Sequence, residues 1–175
     1  IHFNGIPLGN LNIMSFRSII GDNLGLQDLF FGTLEENITV GKKDIKIEDM
    51  VWAIDQVGLN DYFKSLPNGF STVIQPEGQG LSSSLKQKIL LARTLAEKPK
   101  LIVMDQTLVG LDFEDRKHIS SILTDPNASW TLLCVTNDPL MLSQCNKIVT
   151  MEYGKIVDVT VNQKVKSPKK KDNHA

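Results

Sequence analysis

The chain has 175 residues, 41% of them hydrophobic and 22% charged, a composition that argues against a disordered or fibrous protein and fits a single domain. The net charge of −1 hides an asymmetry: residues 161–175 hold five Lys and one Asp, whereas the other 160 residues hold 14 basic and 19 acidic groups. Because the body is mildly acidic, nucleic acid is not an expected partner. No apolar stretch approaches the roughly 20 residues that span a bilayer.

The first 31 residues alternate short apolar runs with turn residues. The Asn4-Gly5 pair between two such runs predicts a tight hairpin turn flanked by strands. Residues 15–18 are predicted to form one helical turn, and a short strand is expected near residues 23–26.

Residues 33–97 are predicted to be mainly helical. Thr33, followed by Glu35 and Glu36, has the pattern of an N-cap with an acidic first turn. Two helices, a loop rich in Gly and Pro, and a helix capped by Ser82 are expected to follow, over residues 47–57, 61–66, 67–81 and 83–97.

Residues 101–160 change to apolar strands that alternate with helices. This pattern predicts a parallel sheet covered on both faces, and therefore an α/β fold. The predicted strands are residues 101–104, 131–135, 147–151 and 155–159, and the predicted helices are residues 113–123 and 139–144.

The run Leu101-Ile102-Val103-Met104-Asp105 is the strongest local feature. A buried strand that ends in Asp places a carboxylate at the carboxyl edge of a parallel sheet, where ligands bind in open α/β folds. In P-loop NTPases this Asp holds Mg²⁺. Any strand followed by an Asp turn matches the pattern, so its weight comes from the motifs around it.

Six motifs follow one another in an order that resembles the ATP-binding cassette of ABC transporters, above all of exporters. They are similar to the Q-loop and its sequel, the stretch before the signature, the signature helix with the Walker B strand, the D-loop, the switch (H-loop) and the closing strands. In this sequence they are residues 26–38, 66–72, 81–105, 110–112, 135–138 and 146–157. The resemblance covers residues 1–160 and implies a partial RecA-like P-loop NTPase core with an inserted helical subdomain over about residues 33–97.

The resemblance also implies a role for each matching residue. Gln27 would be the Q-loop amide that touches Mg²⁺ or the attacking water, and Asp105 would be the Walker B ligand of Mg²⁺. The nucleotide-facing residues would be those of the signature and the D-loop, which are Ser82, Ser83, Ser84 and Asp112.

Each of these residues has an ordinary structural role as well. Gln27 could be a loop amide, and Ser82 and Asp112 could simply begin helices. Lys88 and Arg93 are expected on the helix surface or in ion pairs rather than as ligands.

Three motifs depart from the family pattern. The signature Leu-Ser-Gly-Gly-Gln is replaced by Leu81-Ser82-Ser83-Ser84-Leu85, which removes the glycines that let the backbone approach phosphate. The Glu after the Walker B Asp is Gln106, whose amide cannot accept a proton, and the switch His is Asn137. Because loss of one group that acts on the transition state costs about 10²-fold or more, slow hydrolysis or none is expected.

The 175 residues contain no Gly-x-x-x-x-Gly-Lys-Ser/Thr sequence, the Walker A loop whose backbone cradles phosphates. The chain is therefore expected to be the C-terminal portion of a cassette, over residues 1–160, followed by a flexible basic tail over residues 161–175. The resemblance implies ATP and Mg²⁺ as cofactors. It implies a membrane-spanning domain and a second, identical or different, cassette as partners at the cytoplasmic face of the membrane.

The resemblance therefore implies the ATP-binding domain of an ABC exporter, which couples ATP binding and impaired hydrolysis to transport. Two other functions stay open. The chain could be a non-catalytic cassette with a structural or regulatory role opposite an active one, which Leu85, Gln106 and Asn137 favour. It could also be a soluble ABC ATPase of the DNA-repair or translation kind, although residues 31–38 are typical of exporters.

Overall fold

A computed structural model describes residues 2–3, 5–23, 27–106, 108–162 and 165. Most of the predicted basic tail, residues 163–164 and 166–175, lies outside the described residues, as do residues 24–26 of the strand predicted there.

The front of the chain consists of a hairpin, a short helix and a strand, which are β1 (His2–Phe3), β2 (Ile6–Pro7), α1 (Ile13–Arg17) and β3 (Ile20–Asn23). The hairpin is antiparallel, as predicted, and Gly5 in its turn has a φ of 82°, which glycine adopts without strain. The rings of Phe3 and Phe16 meet edge to face with centroids 4.4 Å apart, so the hairpin packs on α1.

The middle of the chain is mainly helical, as predicted. Its elements are β4 (Gly32–Thr33), α2 (Leu34–Thr39), α3 (Ile47–Gln56), α4 (Asn60–Ser65), β5 (Val73–Ile74) and α5 (Ser83–Ala96). Thr33 begins α2 with a capping box: its Oγ1 accepts from the Glu36 amide at 3.1 Å, and Glu36 Oε2 accepts from the Thr33 amide at 2.7 Å. Strand β5 pairs antiparallel with β4 inside the stretch predicted as a loop, so that prediction is wrong for residues 73–74.

Helix α5 is the centre of this region. All of its residues from 88 to 96 are buried, and α2 and α3 pack against it. The buried positions of α3 include Met50, Ala53 and Ile54, whose spacing places them on one helix face. Because each fully buried aliphatic side chain contributes roughly 1.5–3 kcal/mol, α5 is a main source of stability for this region.

The last part of the chain contains β6 (Leu101–Asp105), α6 (Phe113–Leu123), β7 (Thr131–Val135), α7 (Pro139–Gln144), β8 (Lys147–Glu152) and β9 (Lys155–Val161). Strand β6 lies between β3 and β7 in a parallel three-stranded sheet, with Ile20 opposite Leu101 and Leu101 opposite Thr131. This arrangement confirms the predicted α/β class with a parallel sheet.

The prediction that the sheet is covered on both faces is wrong for β7. Leu132 and Cys134 pack toward the core, whereas Leu133 and Val135 are each 59% exposed. Because alternate side chains of a strand point to opposite faces, one face of β7 meets the core and the other is exposed. Strands β8 and β9 form a separate antiparallel hairpin instead of extending the parallel sheet. Within the described ranges, no helix combines the length and the apolar character needed to cross a bilayer.

Candidate functional site

The carboxyl edge of the parallel sheet gathers three of the predicted site residues. Strand β6 ends in Asp105, opposite Val135 of β7, and Asn137 lies in the loop after β7. The backbone amide of Gln106 donates a 2.9 Å hydrogen bond to the Val135 carbonyl oxygen, which joins the residue after β6 to the end of β7. Asp105, Gln106 and Asn137 are all exposed, so this edge is open to solvent and to ligands.

Gln106 has an uncommon backbone conformation. Its φ is +49°, in the left-handed region that side chains other than glycine rarely adopt. Such a residue costs of order 1 kcal/mol or more and persists where the surroundings impose it, often beside functional sites. Here the residue is fixed by the hydrogen bond from its own amide to β7, while its carboxamide remains exposed.

Gln27, the other predicted Mg²⁺ ligand, is engaged in hydrogen bonds within the protein. Its Nε2 donates to Asp22 Oδ1 at 3.1 Å, and its Oε1 accepts from Arg93 Nη1 at 3.4 Å. No hydrogen bond joins Gln27 to Asp105 in the part of the chain that the structure describes.

Arg93, which contacts Gln27, is buried, although the sequence predicted it on the helix surface or in an ion pair. It is only 8% exposed, and its Nε donates to the Asn37 carbonyl oxygen at 2.7 Å. Its Nη2 donates to the Asp28 carbonyl oxygen at 3.3 Å, and its guanidinium carbon lies 5.8 Å from the centroid of the Phe30 ring. With the bond to Gln27, Arg93 ties helix α5 to residues 27–30 and to α2.

A sequence signal for the burial of Arg93 does exist. The run from Ile89 to Ala96 is apolar on all sides of the helix apart from Arg93 and Thr94, and a helix of that kind is buried. Burial lowers the pKa of the Arg93 guanidinium, and the carboxylates of Asp28 and Glu97 act in the opposite direction.

A cavity of about 230 Å³ opens beside this cluster, lined among others by Asp22, Gln27, Lys42, Arg93 and Glu97. Lys42 Nζ lies 2.5 Å from Glu97 Oε1. The two cations and two carboxylates of the lining have no net formal charge, so net charge does not favour a phosphate group in this cavity.

The predicted signature segment, residues 81–85, leads into helix α5. Ser82 is its N-cap, and the Ser82 Oγ accepts a hydrogen bond from the Leu85 amide at 3.2 Å. Ser83 is exposed, whereas Ser84 is half-buried and its hydroxyl donates to Asp115 Oδ2. Ser82 therefore has the ordinary capping role that its position predicts, and Ser84 makes a contact that no local pattern indicated.

The D-loop lies against this segment. Asp112 is the N-cap of α6, and its Oδ1 accepts from the Asp115 amide at 2.9 Å. A Cβ placed on Gly110 would lie 3.2 Å from Gln87 Cγ and 3.6 Å from Ser83 Cβ, so the D-loop backbone packs directly on α5. The structure thus brings the predicted nucleotide-facing residues of the signature and the D-loop together within one chain.

Asp115 is the second residue that sequence reasoning missed. Its Oδ1 pairs with Lys88 Nζ, and the two side chains are only 22% and 11% exposed. Burial by itself would raise the pKa of Asp115, but hydrogen bonds from Lys88 and Ser84 and the charges of Lys88 and His118 outweigh it and lower the pKa. The prediction of an ion-pair role is confirmed for Lys88.

The described residues fit an ATP–Mg²⁺ complex only in part. Asp105 is an exposed carboxylate at the sheet edge, but Gln27 is bound within the protein, and Asp105 is not part of a larger cluster. Within the described residues, no group of three or more His, Cys, Asp or Glu side chains is placed to hold a metal ion. Since the 175 residues also contain no Walker A sequence, they do not form a complete nucleotide site by themselves.

The chain is similar to known ABC transporters. It is 31% identical over 157 residues to the ABC multidrug transporter atrD of Emericella nidulans, a match that covers 89% of this chain and 12% of atrD. It is 29% identical over 158 residues to the putative multidrug export ATP-binding/permease protein YgaD of Bacillus subtilis, with 89% of this chain and 27% of YgaD covered. No family model matches the chain.

A solved structure shows the same fold. The structure of a bacterial Atm1-family ABC exporter with ATP bound superimposes with a TM-score of 0.82 at 21% identity, covering 92% of this chain and 28% of that chain. The chain thus has the fold of part of that exporter, a mixed α/β fold consistent with a partial P-loop NTPase core. The chain is homologous to ABC multidrug transporters, which confirms the resemblance noted in its sequence, and it spans about an eighth of the length of atrD.

Proposed function

We propose that the chain is part of the ATP-binding domain of an ABC exporter, at the cytoplasmic face of a membrane. ATP binding there would be coupled to transport through a membrane-spanning domain and a second cassette. The homology to multidrug transporters supports a role in an ABC transporter.

Hydrolysis in this cassette would be slow. The single observation that carries this proposal is Gln106, which directly follows Asp105 at the open sheet edge, beside the end of β7. Its side-chain carboxamide can orient a water by hydrogen bonding, but it cannot take the proton of that water. With Asn137 in place of the switch His, a second group that acts on the transition state is absent, and each loss costs about 10²-fold or more.

A non-catalytic cassette is the second candidate. The hydroxyl of Ser84 is engaged with Asp115 of the same chain, which favours a signature face that serves contacts within the protein rather than nucleotide. In that case the chain would act as a structural or regulatory partner of an active cassette.

The two candidates are separated by the rate of ATP hydrolysis of one double variant, measured in the purified transporter that includes this chain. Changing Gln106→Glu together with Asn137→His should raise the rate of ATP hydrolysis at least tenfold if only the base and the switch are missing. An unchanged rate, with nucleotide binding intact, would favour the non-catalytic cassette. Ser121→Ala, an exposed position on α6, is the matched control and should not change the rate.

The placement at the membrane has its own test. A tagged form of the chain, expressed in its native cells, should sediment with the membrane fraction and co-purify with an integral membrane protein. Recovery only in the soluble fraction would contradict the exporter proposal.

A further inference from the structure

The signature segment is joined to the helix after the D-loop by a contact that the family pattern does not allow. Ser84 stands where that pattern has its second Gly, and its Oγ donates to Asp115 Oδ2 on α6. A glycine has no side chain that could donate this bond. Because the two residues are 31 positions apart, the contact connects two separate elements of the fold.

The same carboxylate is bound a second time from α5. Lys88, one helical turn after Ser84, pairs with Asp115 Oδ1, so two residues at positions i and i+4 of α5 hold both oxygens of one side chain. Hydrogen bonds of this kind, with charged partners, are roughly twice as strong as neutral ones. The Lys88 and Asp115 side chains are 11% and 22% exposed, so solvent screens the pair little.

We propose that Ser84, Lys88 and Asp115 form an internal clamp that fixes the signature segment of this chain onto the helix after the D-loop, in place of a nucleotide contact. The inference rests on the proposed function only in the assignment of residues 81–85 to the signature position. The clamp orders the segment without any ligand. It also uses the Ser84 hydroxyl, which donates to Asp115 and therefore does not donate to a phosphate.

The clamp is tested first by a double-mutant cycle on the whole chain, with thermal unfolding as the measurement. Ser84→Ala should lower the melting temperature by about 2–4 °C in the wild-type background and leave it unchanged in the Asp115→Ala background. Ser83→Ala, the exposed neighbour in the same turn, is the matched control and should leave the melting temperature unchanged. Equal effects of Ser84→Ala in both backgrounds would overturn the proposal.

Hydrogen exchange provides a measurement that general loss of stability would not reproduce. In Ser84→Ala the amides of residues 82–86 should exchange at least tenfold faster, while the amides of α3 should keep their wild-type rates. Equal rates at residues 82–86 in Ser84→Ala and Ser83→Ala would overturn the clamp. This measurement needs only the single variants, so the proposal remains testable if Asp115→Ala does not fold.

A last measurement tests whether the signature segment contacts nucleotide in addition to the clamp. In the assembled transporter, exchange at residues 82–86 should be the same with and without ATP and Mg²⁺. A protection that rises threefold or more on adding ATP and Mg²⁺ would overturn this part of the proposal. The unfolding and exchange results on the chain itself are independent of whether it sediments with membranes, so the clamp and the exporter proposal can fail separately.

Discussion

The signature face and the sheet edge carry the same kind of sequence change but differ in structure. At the signature face, residues 82–84 are bound to the chain itself through a cap, a packed D-loop and the contact with Asp115. At the sheet edge, Gln106 and Asn137 are exposed, and only the backbone of Gln106 is held. A changed motif can therefore become part of the structure in one place and remain an open surface in another.

The difference predicts where substitutions affect stability. Changes at the signature face and at Arg93 remove contacts between elements that are far apart in sequence, so they should destabilise the protein. Changes at the sheet edge remove little that the rest of the molecule uses, so they should leave stability equal or higher. Four experiments test this contrast, and they are given in order of decreasing expected effect.

Lys88→Met should have the largest effect. It leaves the Asp115 carboxylate without its cation in a mostly buried place, which should lower the free energy of unfolding by about 2–4 kcal/mol. The measurement is urea denaturation followed by circular dichroism. The control is Lys98→Met, because Lys98 pairs with Asp49 but is 62% exposed, and that change should cost less than about 1 kcal/mol. Equal losses of unfolding free energy in the two variants would contradict the view that the buried Lys88–Asp115 pair is worth more than the surface Lys98–Asp49 pair.

Arg93→Met should cause the second-largest loss of unfolding free energy. It removes three hydrogen bonds, a buried one to the Asn37 carbonyl oxygen and two part-buried ones to residues 27 and 28, and should cost about 2–3 kcal/mol by the same urea measurement. Arg93→Lys should recover only a small part of the loss, because an ammonium group cannot reproduce the planar fork. Arg17→Met, at an exposed arginine of α1, should stay within about 0.5 kcal/mol of wild type. Full recovery by Lys would show that only the charge of Arg93 matters.

The contribution of Asp115 to stability should depend on pH, with a smaller change in the free energy of unfolding than in the Lys88 and Arg93 variants. The pKa of Asp115 is lower in the folded protein than its ordinary value near 3.9. Its contribution is therefore complete above that unfolded value and is lost as the pH falls through the folded pKa. Comparing urea unfolding of wild type and Asp115→Asn between pH 3 and pH 6 should show a difference that is constant above about pH 5 and narrows below pH 4. A difference that stays constant down to pH 3 would contradict the lowered pKa.

Gln106→Gly should have the smallest effect, and with the opposite sign. Glycine adopts the φ of +49° without strain, so the free energy of unfolding should rise by up to about 1 kcal/mol. Gln79→Gly is the control: Gln79 has an ordinary φ of −53°, and its replacement should lower the free energy by about 0.5–1 kcal/mol. A similar loss in both variants would mean that the Gln106 side chain does make a stabilising contact.

The sequence predicted those parts of the fold that depend on neighbouring residues. The caps at Thr33 and Ser82 and the strand that ends in Asp105 lie where the patterns indicate. Helix α3 ends beside Gly58, one residue from its predicted bound. Pairing of β4 with β5 was missed because each strand has two residues, too few to show a period.

The site was predictable in its positions but not in its contacts. Motif order predicted a signature, a D-loop and a sheet edge, and the structure brings the residues predicted for the first two together. The bond between Ser84 and Asp115 spans 31 residues, and the bond between Gln27 and Arg93 spans 66. Such pairs follow from the packing of whole elements, so a local pattern could not have indicated them.

The order of strands in the parallel sheet also has a consequence for folding. Strands β3 and β6 are hydrogen-bonded neighbours, although the mainly helical region of residues 33–97 lies between them in the chain. Closing so long a loop costs entropy before any contact is gained, whereas α2, α3 and α5 can associate over shorter separations. We therefore expect the helical region to become ordered first during folding, with the sheet and its open edge assembling onto it afterwards.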